Sequence, residues 1–220
     1  ALIKAAEITK NPQIISLLLS YGAMIEAQDK LGNTALSTAA SYNQDQRITE
    51  LLITLGANVS SRNNNDNSVI MNAATNNPNS QIIKTLITNS ADVNTRNKFG
   101  NTPLILASGY NENPEIIRTL VEFGANLEAI NLYNKTPLLY AAQFSNSTSV
   151  MKSLLELGAD EGAKDAVGNT ALLLASQYNN NLGIIQLLMN QHDISIVNNY
   201  ERTALMQSSR YNNNVKITEF

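Results

Sequence analysis

A hydroxyl side chain recurs at a fixed interval of 34 residues along most of this 220-residue chain. The positions are Thr34, Ser68, Thr102, Thr136 and Thr170, and Thr203 follows 33 residues later. An apolar residue lies two positions after each of them, and a small residue lies three positions beyond that. Repetition with a period of about 20–50 residues is typical of proteins in which each unit buries its apolar face against the next. The sequence therefore predicts a stack of repeats.

Each period contains two short helices, because its apolar residues are spaced three and four apart. The hydroxyl column lies where the first helix needs an N-cap, and Pro103 and Pro137 follow it at the first helical position. A second cap column precedes the second helix and consists of Asn11, Asp45, Asn79, Asn113, Ser147, Asn181 and Asn214. The sequence thus predicts two capped helices in every repeat.

Asparagine and glycine mark the predicted helix ends. The first helix is followed by Asn43, Asn77, Asn111, Asn179 or Asn212. We expect these asparagines to close the helix in the left-handed backbone conformation. The second helix is followed by Gly22, Gly56, Gly124 or Gly158. Between repeats, segments such as residues 92–102 are rich in turn formers and are predicted to be extended β-hairpins.

Composition excludes several classes of function. The chain has no Cys and one His, His192, so a Cys/His zinc site, an iron–sulfur cluster and a thiol nucleophile are excluded. We find no catalytic constellation, no metal-ligand cluster and no phosphate-binding glycine loop, and we expect no cofactor. The net charge of −3 argues against nucleic acid as a partner, and no apolar run is long enough for membrane insertion. Many of the 32 asparagines recur in register at predicted caps, helix ends and turns, which indicates order rather than low complexity, although an excess such as that at residues 63–65 has no assigned role.

The repeat is similar to the ankyrin repeat. The resemblance is carried by residues 97–104, NKFGNTPL, and by Gly158, Ala159 and Asp160. It implies an all-α repeat solenoid of stacked helix-turn-helix units joined by β-hairpin loops, with right-angled, L-shaped repeats in a curved array. We expect one domain over residues 1–220. Its repeats are 29–62, 63–96, 97–130, 131–164 and 165–197, with partial repeats at 1–28 and 198–220.

The resemblance also implies a non-catalytic scaffold that binds a protein or peptide through its hairpin tips and its inner, first helices. The candidate tip residues, which we name the tip column, are Leu31, Phe99, Tyr133, Val167 and Tyr200. The candidate residues near the ends of the inner helices, which we name the ring column, are Tyr42, Tyr110, Phe144, Tyr178 and Tyr211. Two structural alternatives remain open: the tips pack on one another, or the rings form a ladder that supports the fold.

Other functions remain open at this point. The chain could be the targeting arm of a longer protein whose catalytic domain lies elsewhere, or a self-associating spacer. Both predicted ends lie within a repeat, so we expect either a longer protein or shortened terminal repeats. We expect a monomer, with end-to-end association through open apolar faces as the alternative. The sequence leaves the partner and the compartment open, with the cytoplasm slightly favoured over a secreted or periplasmic location.

Overall fold

The computed structural model describes residues 1–189 and 194–211, and this part of the chain forms thirteen α-helices. The inner helices are α1 (Leu2–Ile8), α3 (Ala35–Tyr42), α5 (Val69–Asn76), α7 (Pro103–Tyr110), α9 (Pro137–Phe144), α11 (Ala171–Tyr178) and α13 (Ala204–Tyr211). The outer helices are α2 (Pro12–Ser20), α4 (Gln46–Thr54), α6 (Ser80–Thr88), α8 (Pro114–Glu122), α10 (Thr148–Glu156) and α12 (Leu182–Met189). The chain therefore alternates regularly between the two kinds of helix.

Each inner helix packs on the inner helices before and after it, and the outer helices form a second, parallel row. Within a repeat the inner helix also packs on its own outer helix. The apolar column at Leu36, Ile70, Leu104, Leu138 and Leu172 is buried, and it belongs to a continuous core that runs through the stack. The fold is thus the all-α repeat solenoid that the sequence predicts.

The predicted caps are present at the helix starts. The hydroxyls of Thr34, Thr102 and Thr136 accept hydrogen bonds from backbone amides in the first turn of their helices. Ser68 and Thr170 occupy the same position without such a bond. In the second cap column, side chains from Asn11 to Ser147 cap their outer helices in the same way. Asn212, Asn214 and His192 lie outside the described residues.

The predicted left-handed asparagines at the inner-helix ends are wrong. Asn43, Asn77, Asn111 and Asn179 have extended backbones, with φ between −86° and −97°. Their side chains instead reach the preceding repeat: the Asn77 amide donates to the carbonyls of Ala40 and Asn43, each at 3.0 Å, while its oxygen accepts from the amide of Asn79. An asparagine side chain has both the donors and the acceptor that this position requires. We name these four residues the asparagine ladder.

The ladder is interrupted once, at Ser145. The Ser145 hydroxyl accepts a hydrogen bond from the amide of Ser147 within its own loop. In the described structure no side-chain hydrogen bond joins Ser145 to the preceding loop. The interface between repeats 97–130 and 131–164 therefore differs from the neighbouring interfaces at this point.

The loops predicted to be extended β-hairpins are tight turns. The described residues contain no regular strand, only an isolated antiparallel bridge between Arg62 and Ser68. In the loop at residues 97–101, the amide of Asn97 bonds the carbonyl of Asn101 at 3.1 Å, while the Asn97 side chain accepts from the amides of Phe99 and Asn101. The two amides that bond the Asn97 side chain are not available for backbone pairing across the loop. The loop therefore closes as a tight turn and does not extend into paired strands.

Candidate functional site

The tip column lies on the surface. Its exposed side-chain fractions run from 37% for Val167 to 66% for Leu31. Neighbouring tips are joined through the backbone, since the amide of Asn64 bonds the carbonyl of Leu31 at 2.9 Å and the amide of Leu132 bonds the carbonyl of Phe99 at 3.1 Å. The tips do pack on one another, as one alternative predicts, through these main-chain bonds and through the side chains of Asn64 and Lys98, which donate to the preceding loop. The side chains of the tip column itself stay exposed to solvent.

The ring column is also exposed, from 41% for Phe144 to 60% for Tyr42. A continuous structural ladder would bring each ring against the next. In the described structure, ring contacts are confined to Tyr110, Tyr140 and Phe144, and the centroids of Tyr110 and Phe144 are 5.8 Å apart. The remaining members of the column project from their helix ends without a ring neighbour among the described residues.

The two columns converge between repeats 97–130 and 131–164. A cavity there, about 360 Å³ in volume, is bounded by tip residues on one side and by helix α9 on the other. Its lining residues, which we name the aromatic pocket, are Phe99, Asn101, Asn131, Tyr133, Lys135, Tyr140, Gln143 and Phe144. Phe99, Tyr133 and Phe144 are candidate residues from the sequence, whereas Lys135, Tyr140 and Gln143 are additions from the structure.

Tyr140 fits into the pocket because a glycine faces it. A Cβ atom added to Gly109 would lie 2.6 Å from Cδ1 of Tyr140, so a larger residue at position 109 would displace the ring. The Tyr140 hydroxyl hydrogen-bonds to the hydroxyl of Tyr110 at 3.1 Å, and the two rings meet edge to face. Burial raises the pKa of Tyr140, and the bond to Tyr110 raises it further. Both effects favour the neutral phenol, which an ordinary tyrosine already retains at physiological pH.

Lys135 places a half-buried cation in the pocket. Its ammonium donates to the side-chain oxygen of Gln143 and lies 5.9 Å from the centroid of the Phe144 ring. Burial lowers the pKa of Lys135, and the negative charge of Asp165 partly offsets this by raising it. The Asp165 carboxylate itself accepts hydrogen bonds from the amides of Val167 and Asn169 in its own turn.

The sequence carries a signal for both additions. The position of Lys135 is asparagine in four other loops, where it accepts a hydrogen bond from the asparagine that opens the next turn; the pairs are Asn63–Asn33, Asn97–Asn67, Asn131–Asn101 and Asn198–Asn169. Tyr140 likewise occupies a column that elsewhere contains Thr38, Asn72, Leu106 and Leu174. Lys135 shares its departure from asparagine with Arg202 alone, and Tyr140 is the one aromatic residue in its column, which also contains Gln207. These two departures are the sequence signal for this pocket.

A second cavity, about 270 Å³ in volume, lies between repeats 29–62 and 63–96. It is lined by Leu31, Asn33, Thr38, Ser41, Tyr42, Asn63, Asn64, Asn65, Asn67, Asn72 and Asn76. We name it the amide pocket. It contains one residue of each column, Leu31 and Tyr42, but its other lining residues are neutral and polar. The same face therefore offers two chemically different recesses.

The arrangement is suited to binding. Within residues 1–189 and 194–211, no three His, Cys, Asp or Glu side chains are grouped closely enough to hold a metal ion. None of the described helices combines the length and the hydropathy that a membrane crossing requires. The surface formed by the tip column and the ring column presents exposed aromatic side chains beside amide, hydroxyl and cationic groups.

Comparison with known families agrees with this geometry. A family profile described as ankyrin repeats (three copies) matches residues 70–165 and 145–220. A profile described as the ankyrin repeat matches residues 31–64. No curated protein sequence matches the chain with significance.

Proposed function

The chain belongs to the ankyrin-repeat family, and we propose that it is a non-catalytic scaffold that binds a protein or peptide partner. Proteins with ankyrin repeats generally act as protein–protein interaction modules and are typically non-catalytic. The finer proposal concerns the surface. The partner contacts the tip column and the ring column, on the inner face of a curved array of repeats.

The aromatic pocket is the observation that carries this proposal. Exposed aromatic side chains rarely cluster on the surface of a protein that has no partner. Tyrosine and phenylalanine contribute large buried areas and are enriched in interfaces, and energetic hot spots are enriched in tyrosine. Here Phe99 and Tyr133 from the tips face Phe144 from α9 across one cavity. A side chain of the partner can enter this cavity and contact both columns at once.

The test is capture of partners from native lysate by three forms of the chain. These are the wild type, a Phe99→Ala/Tyr133→Ala variant, and a control variant, Leu55→Ala/Leu157→Ala. The control residues are exposed apolar C-caps of the outer helices α4 and α10, and neither lines the aromatic pocket. We expect the control to capture the same proteins as the wild type and the pocket variant to lose them.

Melting temperatures of the three forms separate binding from folding. The pocket variant should melt within a few degrees of the control, because Phe99 and Tyr133 are exposed and their loops are held by backbone hydrogen bonds. If the pocket variant and the wild type capture identical proteins, the partner does not bind at the tips.

A further inference from the structure

Every cation–π contact among the described residues involves a ring of the tip column or the ring column. Lys98 lies 5.3 Å from the centroid of Phe99, and Lys135 lies 5.9 Å from that of Phe144. In the last repeat, Arg202 lies over Tyr200 and Tyr211, and Arg210 also lies over Tyr211. The candidate binding face therefore combines aromatic rings with positive charges at Phe99, at Phe144 and in the last repeat.

These four cations form no ion pair with the described residues. The ion pairs of the structure lie in α1, in the loops and on the outer helices: Lys4–Glu7, Arg47–Asp45, Arg62–Asp66, Arg118–Glu115, Arg118–Glu156 and Lys152–Glu156. Lys98 and Lys135 instead donate to neutral oxygens, of Asn64, Asn65 and Gln143. Among the described residues these cations thus lack a directly paired carboxylate, and Asp165 acts on Lys135 only at longer range.

Carboxylates are also sparse on this side of the stack. The inner helices from α3 to α13 contain no Asp or Glu, although the chain as a whole has a net charge of −3. In the loops, Asp29 and Asp165 accept hydrogen bonds from amides of their own turns, and Asp66 pairs with Arg62. Glu201 lies beside Arg202 in the last turn, and Glu112 lines a cavity together with Tyr110. The inner helices from α3 to α13, rather than the whole face, therefore carry none of the acidic excess.

We infer that the partner presents an extended acidic segment in which carboxylates alternate with apolar side chains. The inference rests on the proposed function. The apolar groups would pack on the exposed rings while the carboxylates pair with Lys98, Lys135 and Arg202. Lys135 gains most from such a pair, since it is already half removed from water and charges interact more strongly there.

The repeat spacing gives an approximate length for the segment. Lys135 and Arg202 lie two repeats apart, which corresponds to about 20 Å when helices pack 8–10 Å apart. An extended chain covers about 3.3 Å per residue, so carboxylates that reach both cations are about six residues apart. Nucleic acid fits less well, because phosphates spaced along a strand require denser positive charge and the chain is acidic overall.

The experiment selects binders of the intact chain from a display library of random peptides. The peptides have about twelve residues, which span about 40 Å when extended. The selection is run in parallel on the wild type, on Lys98→Met/Lys135→Met and on a control, Lys84→Met/Lys152→Met, whose residues lie on the outer helices α6 and α10. Methionine retains the length of the side chain and removes its charge. Far-ultraviolet circular dichroism and melting temperature establish that all three forms are folded.

We expect peptides from the wild type and the control to be enriched in Asp or Glu beside large apolar residues. The most enriched peptide, labelled for fluorescence anisotropy, should bind the Lys98→Met/Lys135→Met variant about tenfold more weakly and lose affinity as salt is raised. An analogue of that peptide, in which Glu is replaced by Gln and Asp by Asn, should show the same loss of affinity for the wild type.

Three results would overturn the inference. The first is that the selected peptides lack acidic residues. The second is that they bind the Lys98→Met/Lys135→Met variant as tightly as the wild type, and the third is that no peptide is enriched. Comparable binding of a labelled single-stranded oligonucleotide would overturn it as well. The proposed function would still stand in these cases if Phe99→Ala/Tyr133→Ala abolishes capture from lysate. Only unchanged capture by that variant contradicts the proposed function itself.

Discussion

At the scale of single residues, Ser90 adopts a backbone conformation that the other repeats give to glycine. Its φ of 71° corresponds to values of 87–93° at Gly22, Gly56, Gly124 and Gly158. A left-handed backbone costs a residue with a Cβ atom about 1 kcal/mol or more. We expect Ser90→Gly to raise the free energy of unfolding by about 1 kcal/mol, measured by urea denaturation.

The matched control for this prediction is the reverse change at an equivalent position. A Cβ atom added to Gly56 meets nothing within 4 Å, so Gly56→Ser tests backbone conformation without a steric clash. It should lower the stability by about the amount that Ser90→Gly adds. Equal stabilities for all three proteins would show that the loop relaxes and that the conformation carries no cost.

The helix caps and the glycine stops were predictable from the sequence because each depends on residues within one turn of helix. The role of the ladder asparagines was not predictable from the sequence. Asn77 bonds to Ala40 and Asn43, which lie 37 and 34 positions earlier and come close to it only when the repeats stack. The roles of the three consecutive asparagines at 63–65 were not predictable either, because they also bond residues of neighbouring repeats. Asn63 bonds Asn33, Asn64 bonds the carbonyl of Lys30, and Asn65 accepts from Lys98.

At the scale of helices and loops, the asparagine ladder should contribute strongly to the coupling of repeats. Asn77→Ala removes the donor for two carbonyls and the acceptor for one amide, in a buried position. Buried polar groups without partners are costly, so we expect a loss of about 3 kcal/mol in the free energy of unfolding. Denaturant unfolding measures the change.

The complementary variant is Ser145→Asn, which restores the missing rung. A cavity of about 120 Å³ beside Ser145 offers room for the larger side chain, and the ladder geometry places the carbonyls of Ser108 and Asn111 in reach. We expect a gain of about 1 kcal/mol. A loss of stability in this variant, or none in Asn77→Ala, would contradict the role assigned to the ladder.

The candidate site was predictable in part at this scale. The period aligns the residues of the two columns, and the resemblance to the ankyrin repeat implies that these positions lie on the binding face. The aromatic pocket could not be predicted from the repeat period. The pocket depends on Gly109 making room for Tyr140 and on Lys135 replacing a turn asparagine, and a pattern averaged over repeats treats both as exceptions.

At the scale of the whole molecule, stability should vary along the stack. Helix α3 buries seven of its residues and α5 buries six, whereas α1 buries two, α2 buries one and α13 buries two. Because each helix pair contacts only its neighbours, opening should begin where burial is lowest. Hydrogen exchange followed by mass spectrometry should show fast exchange in α1, α2 and α13 and slow exchange from α5 to α10. Uniform exchange over all helices would indicate one cooperative unit instead.

The main-chain bonds between neighbouring tips have a consequence for redesign. The amides of Asn64, Leu132 and Asn199 are anchored to the preceding tip, whatever side chains the tips carry. Between the loops at 63–67 and 97–101 the Lys98 side chain makes the connection instead. At the other tips the spacing is therefore independent of the side chains displayed there. If the partner binds at the tips as proposed, exchanging the side chains at Leu31, Phe99, Tyr133, Val167 and Tyr200 should change the specificity while the backbone arrangement is retained.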